Sequence, residues 1–364
     1  MIRKVRPVRR ATARSPRRVG RALALAAGAA VLVACGGGSS ARSGDQGSSD
    51  GGLDEVTFLN VLPMESLTFS PEMVADACGH FKRQGLDVTF ETTNGSAQAI
   101  QSIIAGSAQI TRVGDIETVL AAGDKGAAVT NIGTALHRGP IRIVSSSRAP
   151  IDDAQDFRGT LVGLPSEGGT SEMTLDLVLG SAGIAPEQVD RQVVGLTPGV
   201  FNLVKSGRIG SYIVSFDTSV ALQQQEPDAV VFDPAEAIRS GAQVYMTSQQ
   251  QLEDPETRDQ LERYLAGIRS AMEFIAEDEA NGFKKTMECI SSSFDVTTLA
   301  EPDVARSSLS GYVDSWLANG RDGVLTTNPE QWQATYDEMV TAGLVDSGMT
   351  PQDWYTNELA PGSE

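Results

Sequence analysis

Five short polar segments carry the residue types that could hold a small molecule, and each follows a short apolar run. They are residues 63–66 (PMES), 92–96 (TTNGS), 114–117 (GDIE), 165–171 (PSEGGTS) and 215–218 (SFDT). Ligands of open α/β sheets lie beyond the carboxyl ends of the strands. The segments therefore predict a ligand site, with these candidate residues: Met64, Glu65, Asn94, Gly95, Ser96, Asp115, Glu117, Gly168, Gly169, Thr170, Ser171, Phe216 and Asp217.

Two of the segments place glycine beside a hydroxyl residue immediately before a predicted helix. One is Gly95-Ser96 and the other is residues 168–171. Backbone N–H groups at such helix starts can bind a polar or anionic ligand atom. The same hydroxyl groups could instead cap the helices. The sequence leaves both roles open.

Carboxylates recur in the same segments. A cleft with several carboxylates suits an amine or an N–H-rich heterocycle better than a sulfonate. A carboxylate near a helix start could equally complement the helix dipole. Two apolar residues could line the cleft or pack in the core. The carboxylates are those of Glu65, Asp115, Glu117, Glu167 and Asp217, and the two apolar residues are Met64 and Phe216.

Sequence motifs of common enzymes are missing. The chain has no H-E-x-x-H, S-x-x-K or Walker lysine loop. Its two histidines, His80 and His137, are far apart and show no metal-ligand spacing. We expect no catalytic residue, no metal site and no cofactor.

The amino end has the order of an export signal. Nine Lys and Arg residues and no acid precede a short apolar run over residues 22–34, which is too short to span a bilayer. Cys35 follows Leu32-Val33-Ala34, and a Gly/Ser-rich stretch comes after it. This order resembles the lipobox of bacterial lipoproteins, in which the cysteine is diacylated and becomes the first residue. The resemblance implies a signal peptide over 1–34, lipid such as palmitate on Cys35 and a flexible tether over 35–53. Arginine pairs leave both the general and the twin-arginine export routes open.

Composition excludes some partners. The chain has 47 Asp and Glu against 29 Lys and Arg; without the nine cations of the signal, 20 cations remain and the net charge is near −27. Such a surface repels nucleic acid and anionic lipid headgroups. We expect no nucleic-acid partner, and we expect membrane contact through the lipid alone.

Cys78 and Cys289 remain after Cys35, and in an oxidising compartment such a pair forms a disulfide or stays as two separate thiols.

Short apolar runs alternate with helical patterns from Val56 to Phe232, which predicts βαβ units and mainly parallel sheets. The pattern restarts after residue 145, and this restart predicts two lobes. From Pro255 onward the pattern is mostly helical, with amphipathic stretches over 258–276, 303–317 and 329–342.

Several segments resemble the ABC-importer substrate-binding proteins that include binders of thiamine pyrimidine precursors, alkanesulfonates, taurine and nitrate. They are residues 81–88 (FKRQGLDV), 99–109 (AIQSIIAGSAQ), 156–163 (DFRGTLVG), 206–209 (SGRI) and 354–359 (WYTNEL). The resemblance covers about residues 54–360. Thr160 stands where that family usually has Lys, and Gly210-Ser211 where it usually has Asp-Ala.

The resemblance implies an α/β fold of the bilobed periplasmic-binding-protein type (type II), with two lobes joined by two crossing strands. Lobe one would comprise 54–143 plus 240–364, and lobe two 144–239. The hinge would lie near residues 141–145 and 242–246. Cys78 and Cys289 would then both belong to lobe one.

The resemblance also implies a monomeric solute-binding lipoprotein that delivers a small polar ligand to an ABC permease. A thiamine pyrimidine precursor or a related N-heterocycle is the first candidate, and an alkanesulfonate, taurine or nitrate the second. A sensory or scaffold lipoprotein without a transport role is the alternative of another class. Fungal relatives of this family make the pyrimidine with Lys-bound pyridoxal phosphate, iron and histidine, but two histidines and six lysines fit that chemistry poorly.

Overall fold

The computed structural model describes residues 52–61, 63–165, 167 and 169–362. Cys35 and the expected signal peptide lie outside these residues, as do most of the tether and Gly168. In the described part of the chain, no helix is both long enough and apolar enough to cross a membrane.

The strands fall into two five-stranded sheets. In chain order they are β1 Asp54–Asn60, β2 Leu86–Thr92, β3 Ile110–Gly114, β4 Val129–Leu136, β5 Ile141–Ser146, β6 Leu161–Leu164, β7 Asp190–Val193, β8 Ser211–Ser215, β9 Ala229–Phe232 and β10 Gln243–Ser248.

Helices cover the faces of both sheets. They are α1 Ser70–Ala77, α2 His80–Arg83, α3 Ser96–Ile104, α4 Asp115–Val119, α5 Thr170–Ser181, α6 Phe201–Lys205, α7 Phe216–Gln225, α8 Gln249–Glu253, α9 Pro255–Asp278, α10 Lys284–Ser291, α11 Pro302–Trp316 and α12 Pro329–Thr341. The three long helices that amphipathic periodicity predicts in the carboxyl third correspond to α9, α11 and α12.

The first sheet has the order β2-β1-β3-β10-β4 and the second the order β7-β6-β8-β5-β9. β1 runs parallel to β2 and β3, and β6 runs parallel to β7 and β8. β10 and β5 run antiparallel to both of their neighbours. The α/β prediction is confirmed, but each sheet is mixed rather than mainly parallel. The reason is topological, since β5 and β10 are the first strands after the chain passes from one sheet to the other.

The two crossings run through residues 137–140 and 233–242. The expected hinge segments, 141–145 and 242–246, follow these crossings in the chain and lie almost wholly within β5 and β10. β5 belongs to the second sheet from Ile141 onward. The regular strand pairing of β5 and β10 makes these segments parts of the sheets, and the irregular residues before them connect the sheets.

Aromatic side chains fill the core between the first sheet and helices α1, α2 and α9. The rings of Phe81 and Tyr264 stack at a centroid distance of 4.9 Å, and Phe58 contacts the other face of this cluster. Burying such side chains stabilises a fold by roughly 1.5–3 kcal/mol each. A disulfide joins Cys78, which follows α1, to Cys289 in α10, with the Cα atoms 5.9 Å apart.

The carboxyl end returns to the first sheet. Tyr355 bridges to Asn131 of β4, and the N–H of Thr356 donates to the carbonyl oxygen of Asn131 at 2.9 Å. Leu325 bridges to Thr134 of the same strand. β4 is the edge strand of this sheet, so these contacts cover an edge that would otherwise expose unpaired backbone groups.

Candidate ligand-binding site between the two sheets

Each of the five polar segments follows a strand: β1, β2 and β3 in the first sheet, β6 and β8 in the second. β2, β1 and β3 are parallel neighbours, so their three segments lie along one edge of the first sheet. β6 and β8 are parallel neighbours as well. The segments therefore gather at one edge of each sheet, as the sequence predicts.

Glu117 connects the two sheets. Its Oε1 accepts a hydrogen bond of 2.8 Å from Ser96 Oγ, at the start of α3 in the first sheet. The same oxygen accepts a second hydrogen bond from Thr170 Oγ1, at the start of α5 in the second sheet. Ser96 and Glu117 are buried and Thr170 is half-buried. The structure thus brings together three candidate residues from three separate segments.

The two hydroxyl groups do not cap their helices. Gly95 and Gly169 occupy the N-cap positions of α3 and α5, with φ angles of 106° and 86° that favour glycine. Ser96 and Thr170 are the first residues inside the helices, and their hydroxyl groups donate to Glu117. Capping, one of the two roles that the sequence left open, is therefore not what these side chains do.

Because Gly114 has no side chain, the Glu117 side chain can fold back over the start of α4. A Cβ atom at position 114 would lie 2.2 Å from Glu117 Oε2, so no other residue type fits there without a shift. Glu117 Oε2 is buried and has no hydrogen-bond partner among the described residues. Burial raises the pKa of the Glu117 carboxyl, and the hydrogen bonds from Thr170 and Ser96 act in the opposite direction.

Asp115 lies two residues before Glu117 but binds different groups. Its two oxygens accept hydrogen bonds from the N–H groups of Ile116 and Gly241 and from the hydroxyl of Thr335. Gly241 belongs to the second crossing segment and Thr335 to α12. Asp115 therefore fixes the crossing between the sheets. Burial raises its pKa to about 7 despite these donors.

A second contact between the sheets is built on Asp217, at the start of α7. Ser66 Oγ donates to its two carboxylate oxygens at 3.1 and 3.2 Å, and Tyr312 Oη donates at 3.4 Å. Thr298 Oγ1 lies 3.5 Å from the same carboxylate. The ring of Phe216 packs edge-on against Tyr312, with centroids 5.5 Å apart. Ser66 is part of the first polar segment, and the structure adds it to the candidate residues.

The other candidate residues lie further from these two contacts. Met64 is half-buried and packs against the core of the first sheet. Glu65 and Asn94 are exposed, and the backbone N–H of Asn94 donates to Gln98 Oε1 at 2.8 Å. Ser171 is half-buried in the first turn of α5. The side chains of these four described residues form no hydrogen bond with Glu117 or Asp217.

Two arginines near the strand ends are already paired. Arg112 is fully buried, forms a salt bridge of 3.0 Å with Glu72 and donates to Thr68 Oγ1 at 2.8 Å. Arg142 forms a salt bridge of 3.0 Å with Asp233. Its guanidinium also lies 5.0 Å from the ring centroid of Phe216. The charge of both groups is therefore neutralised within the protein.

Asn60, the last residue of β1, is not among the residues that the sequence pattern selects. Its side chain is 1 % exposed, and neither its Oδ1 nor its Nδ2 has a partner among the residues that the structure describes. The available signal is an amide residue inside the mostly apolar run VTFLNVL (56–62), placed where the strand ends. β1 lies between the two strands that lead to Ser96 and Glu117.

Two mixed α/β sheets, with crossings before β5 and β10 and with polar groups gathered between their strand ends, define a periplasmic-binding-protein fold. Residues 66–281 match the family described as "NMT1/THI5 like". The chain belongs to this family.

Several known proteins are similar to this chain. The riboflavin-binding protein RibY of Chloroflexus aurantiacus is 26 % identical over 320 residues, which cover 85 % of this chain and 87 % of RibY. The alkanesulfonate-binding protein SsuA from Xanthomonas axonopodis pv. citri, solved with MOPS, is 13 % identical with a TM-score of 0.61, over 84 % of this chain and 99 % of SsuA. The nitrate-binding protein NrtA from Synechocystis PCC 6803 is 12 % identical with a TM-score of 0.62, over 84 % of this chain and 87 % of NrtA. The likeness to the two solved structures is one of fold.

Proposed function

We propose that this chain is an extracytoplasmic solute-binding lipoprotein that captures a small nitrogen heterocycle with N–H groups and delivers it to an ABC importer. The proposal rests on the contacts of the Glu117 carboxyl group. Its carboxyl group is held by one hydroxyl from each sheet and keeps a buried oxygen, Oε2, without a partner among the described residues. Such an oxygen is an acceptor for a ligand N–H.

Electrostatics favours an N–H donor over an anion. Two carboxylates, Glu117 and Asp217, lie at the contacts between the sheets, while Arg112 and Arg142 are neutralised by Glu72 and Asp233. An anion placed about 4 Å from an ionised carboxylate is repelled by roughly 4 kcal/mol at an effective dielectric constant of 20. A sulfonate or nitrate would meet this repulsion, and Arg112 and Arg142 already have carboxylate partners.

Two heterocycles represent the proposed ligand class. A thiamine pyrimidine precursor is the candidate that the carboxylates and the segment 354–359 favour. Riboflavin is the candidate that the similarity to RibY favours. Both carry N–H groups on or beside a flat ring, which is the chemistry that Glu117 Oε2 would recognise. Binding without turnover is the proposed activity.

The proposed lobes follow the two sheets, lobe one being about 54–143 plus 240–364 and lobe two about 144–239. The contacts of Glu117 with Thr170 and of Asp217 with Ser66 would form when the lobes close. Closure about the crossings is the usual motion of proteins of this fold. Lipid on Cys35 would hold the monomeric chain at the outer face of the membrane, beside its permease.

The experiment is calorimetric titration of the purified chain, without residues 1–35, against riboflavin, 4-amino-5-hydroxymethyl-2-methylpyrimidine, taurine, an alkanesulfonate and nitrate. We expect saturable binding of a heterocycle, weaker or no binding of the anions, and recovery of the heterocycle unchanged. Binding of an anion more tightly than of either heterocycle would refute the ligand class. Recovery of a chemically altered heterocycle would refute binding without turnover.

A further inference from the structure

Asn60 is a buried polar side chain at the carboxyl end of a strand that lacks a partner among the described residues. Its backbone is well fixed, since its carbonyl oxygen accepts hydrogen bonds from the N–H of Thr93 at 2.7 Å and from Thr93 Oγ1 at 3.1 Å. Both polar atoms of its side chain, in contrast, have no partner in the described part of the chain. The amide is thus held in place by its backbone while its own hydrogen-bonding capacity is unused.

Leaving such a group unpaired is costly. A buried donor or acceptor without a partner destabilises a protein by about 1–3 kcal/mol, and most buried side-chain polar atoms are paired for this reason. Asn60 has two such atoms. Leucine has nearly the same shape and would avoid this cost, so a reason for asparagine has to come from a group that the amide binds.

The location of Asn60 indicates what that group is. β1 lies between β2 and β3, and the hydrogen bond from Ser96 to Glu117 joins the helices that follow those two strands. Asn60 ends the strand between them. The unpartnered atoms of Asn60 and Glu117 Oε2 therefore belong to the same edge of the first sheet.

Other buried polar atoms without a partner belong to different parts of the fold. Tyr264 Oη and Trp316 Nε1 lie on the long helices α9 and α11, Ser70 Oγ at the start of α1 and Thr174 Oγ1 within α5. None of these four is at the carboxyl end of a strand. Asn60 is distinguished by its position as well as by its two free atoms.

We infer that Asn60 determines ligand specificity by pairing its amide with a ring edge that presents an N–H donor next to an acceptor. A side-chain amide offers an acceptor, Oδ1, and a donor, Nδ2, side by side. The matching edge is –NH–C(=O)– in an imide or lactam ring, or an amino group beside a ring nitrogen. This inference rests on the proposed function, because it adds a second recognition element to the site of Glu117.

The test uses ligands that differ by a blocked N–H: riboflavin against N3-methylriboflavin, and the 4-aminopyrimidine against its 4-dimethylamino analogue. In the wild type we expect N-methylation to weaken binding at least 30-fold. In Asn60→Leu and Asn60→Asp we expect weak binding and a penalty for N-methylation at least threefold smaller than in the wild type, because only the hydrogen bond to Glu117 Oε2 remains to be lost. Asn202→Leu, a change of an exposed asparagine in α6 and outside the five polar segments, should behave as the wild type.

Thermal unfolding without ligand provides an independent readout. Asn60→Leu should raise the melting temperature, because it removes two unpaired polar atoms, while losing the ligand-induced rise. A lower melting temperature in Asn60→Leu would show that the amide has a structural partner and would overturn the inference. An equal penalty for N-methylation in the wild type and in both Asn60 variants would overturn the inference alone, because recognition of the N–H by Glu117 would remain. A wild type that binds neither heterocycle would refute the proposed function and this inference together.

Discussion

Replacing Glu117 by glutamine changes the candidate site with almost no change of shape. The glutamine side chain would keep an oxygen that accepts from Ser96 and Thr170, and it would place an NH₂ group where Oε2 now lies. A ligand N–H that binds to Oε2 would then meet a donor instead of an acceptor. The substitution should therefore keep the contact between the sheets and remove the hydrogen bond to the ligand.

The expected loss follows from one hydrogen bond. A hydrogen bond to a charged group contributes about 1.5–3 kcal/mol. Since each 1.4 kcal/mol is a tenfold change in affinity, Glu117→Gln should raise the Kd of the heterocycle by about 10- to 150-fold. The free energy of unfolding should change by less than about 1 kcal/mol, because both hydroxyl donors keep their acceptor.

The assay is isothermal titration calorimetry at several pH values, combined with urea unfolding. Burial raises the pKa of Glu117, and a ligand N–H stabilises the ionised form. Wild-type affinity should therefore increase as the pH rises through this pKa, with release of a proton, and Glu117→Gln should lose this dependence. Glu277→Gln, at an exposed position of α9 outside the candidate segments, is the matched control. Unchanged affinity in Glu117→Gln, or a free energy of unfolding that falls by several kcal/mol, would refute the reasoning.

Three further predictions concern other parts of the chain. Cys35→Ala should abolish incorporation of labelled fatty acid and cleavage before residue 35; labelled mutant protein would contradict the lipid assignment. Reduction of the bond between Cys78 and Cys289, 211 residues apart in sequence, should lower the free energy of unfolding by about 5 kcal/mol in the chain-entropy model, measured by urea unfolding with and without reductant; equal midpoints would contradict it. Because the pKa of Asp115 is raised from 3.8 to about 7, the folded state binds this proton more tightly, and its contribution to stability is lost as the pH rises from about 4 to about 7. Asp115→Asn should flatten this part of the stability curve, and an identical slope in wild type and variant would count against it.

Much of the fold could be predicted from local pattern. The apolar runs that become β2, β6 and β8 are bounded by turn residues, and α9 has a clear amphipathic period. The direction of β5 and β10 could not be predicted in this way. Antiparallel pairing of these strands depends on which sheet the chain has just left, and no local pattern contains that information.

The candidate site shows the same division. Position after a strand selected Ser96, Glu117 and Thr170, which the structure joins by hydrogen bonds. The same criterion could not separate Glu117 from Asp115, since both are acids at the start of α4. Only the donors from Gly241 and Thr335, more than 100 residues away in sequence, assign Asp115 to the crossing. Long-range contacts decide such roles, and composition does not.

The insertion of β10 between β3 and β4 affects the order in which the protein can mature. All five strands of the second sheet, from Ile141 to Phe232, lie between β4 and β10 in the chain. A chain that is synthesised amino end first can therefore complete the second sheet while β3 and β4 still lack the strand that joins them. Pairings of such sequence separation form slowly. Substitutions that weaken β10 should thus delay folding and expose the unfinished chain to proteases, even where they leave the ligand affinity of the finished protein intact.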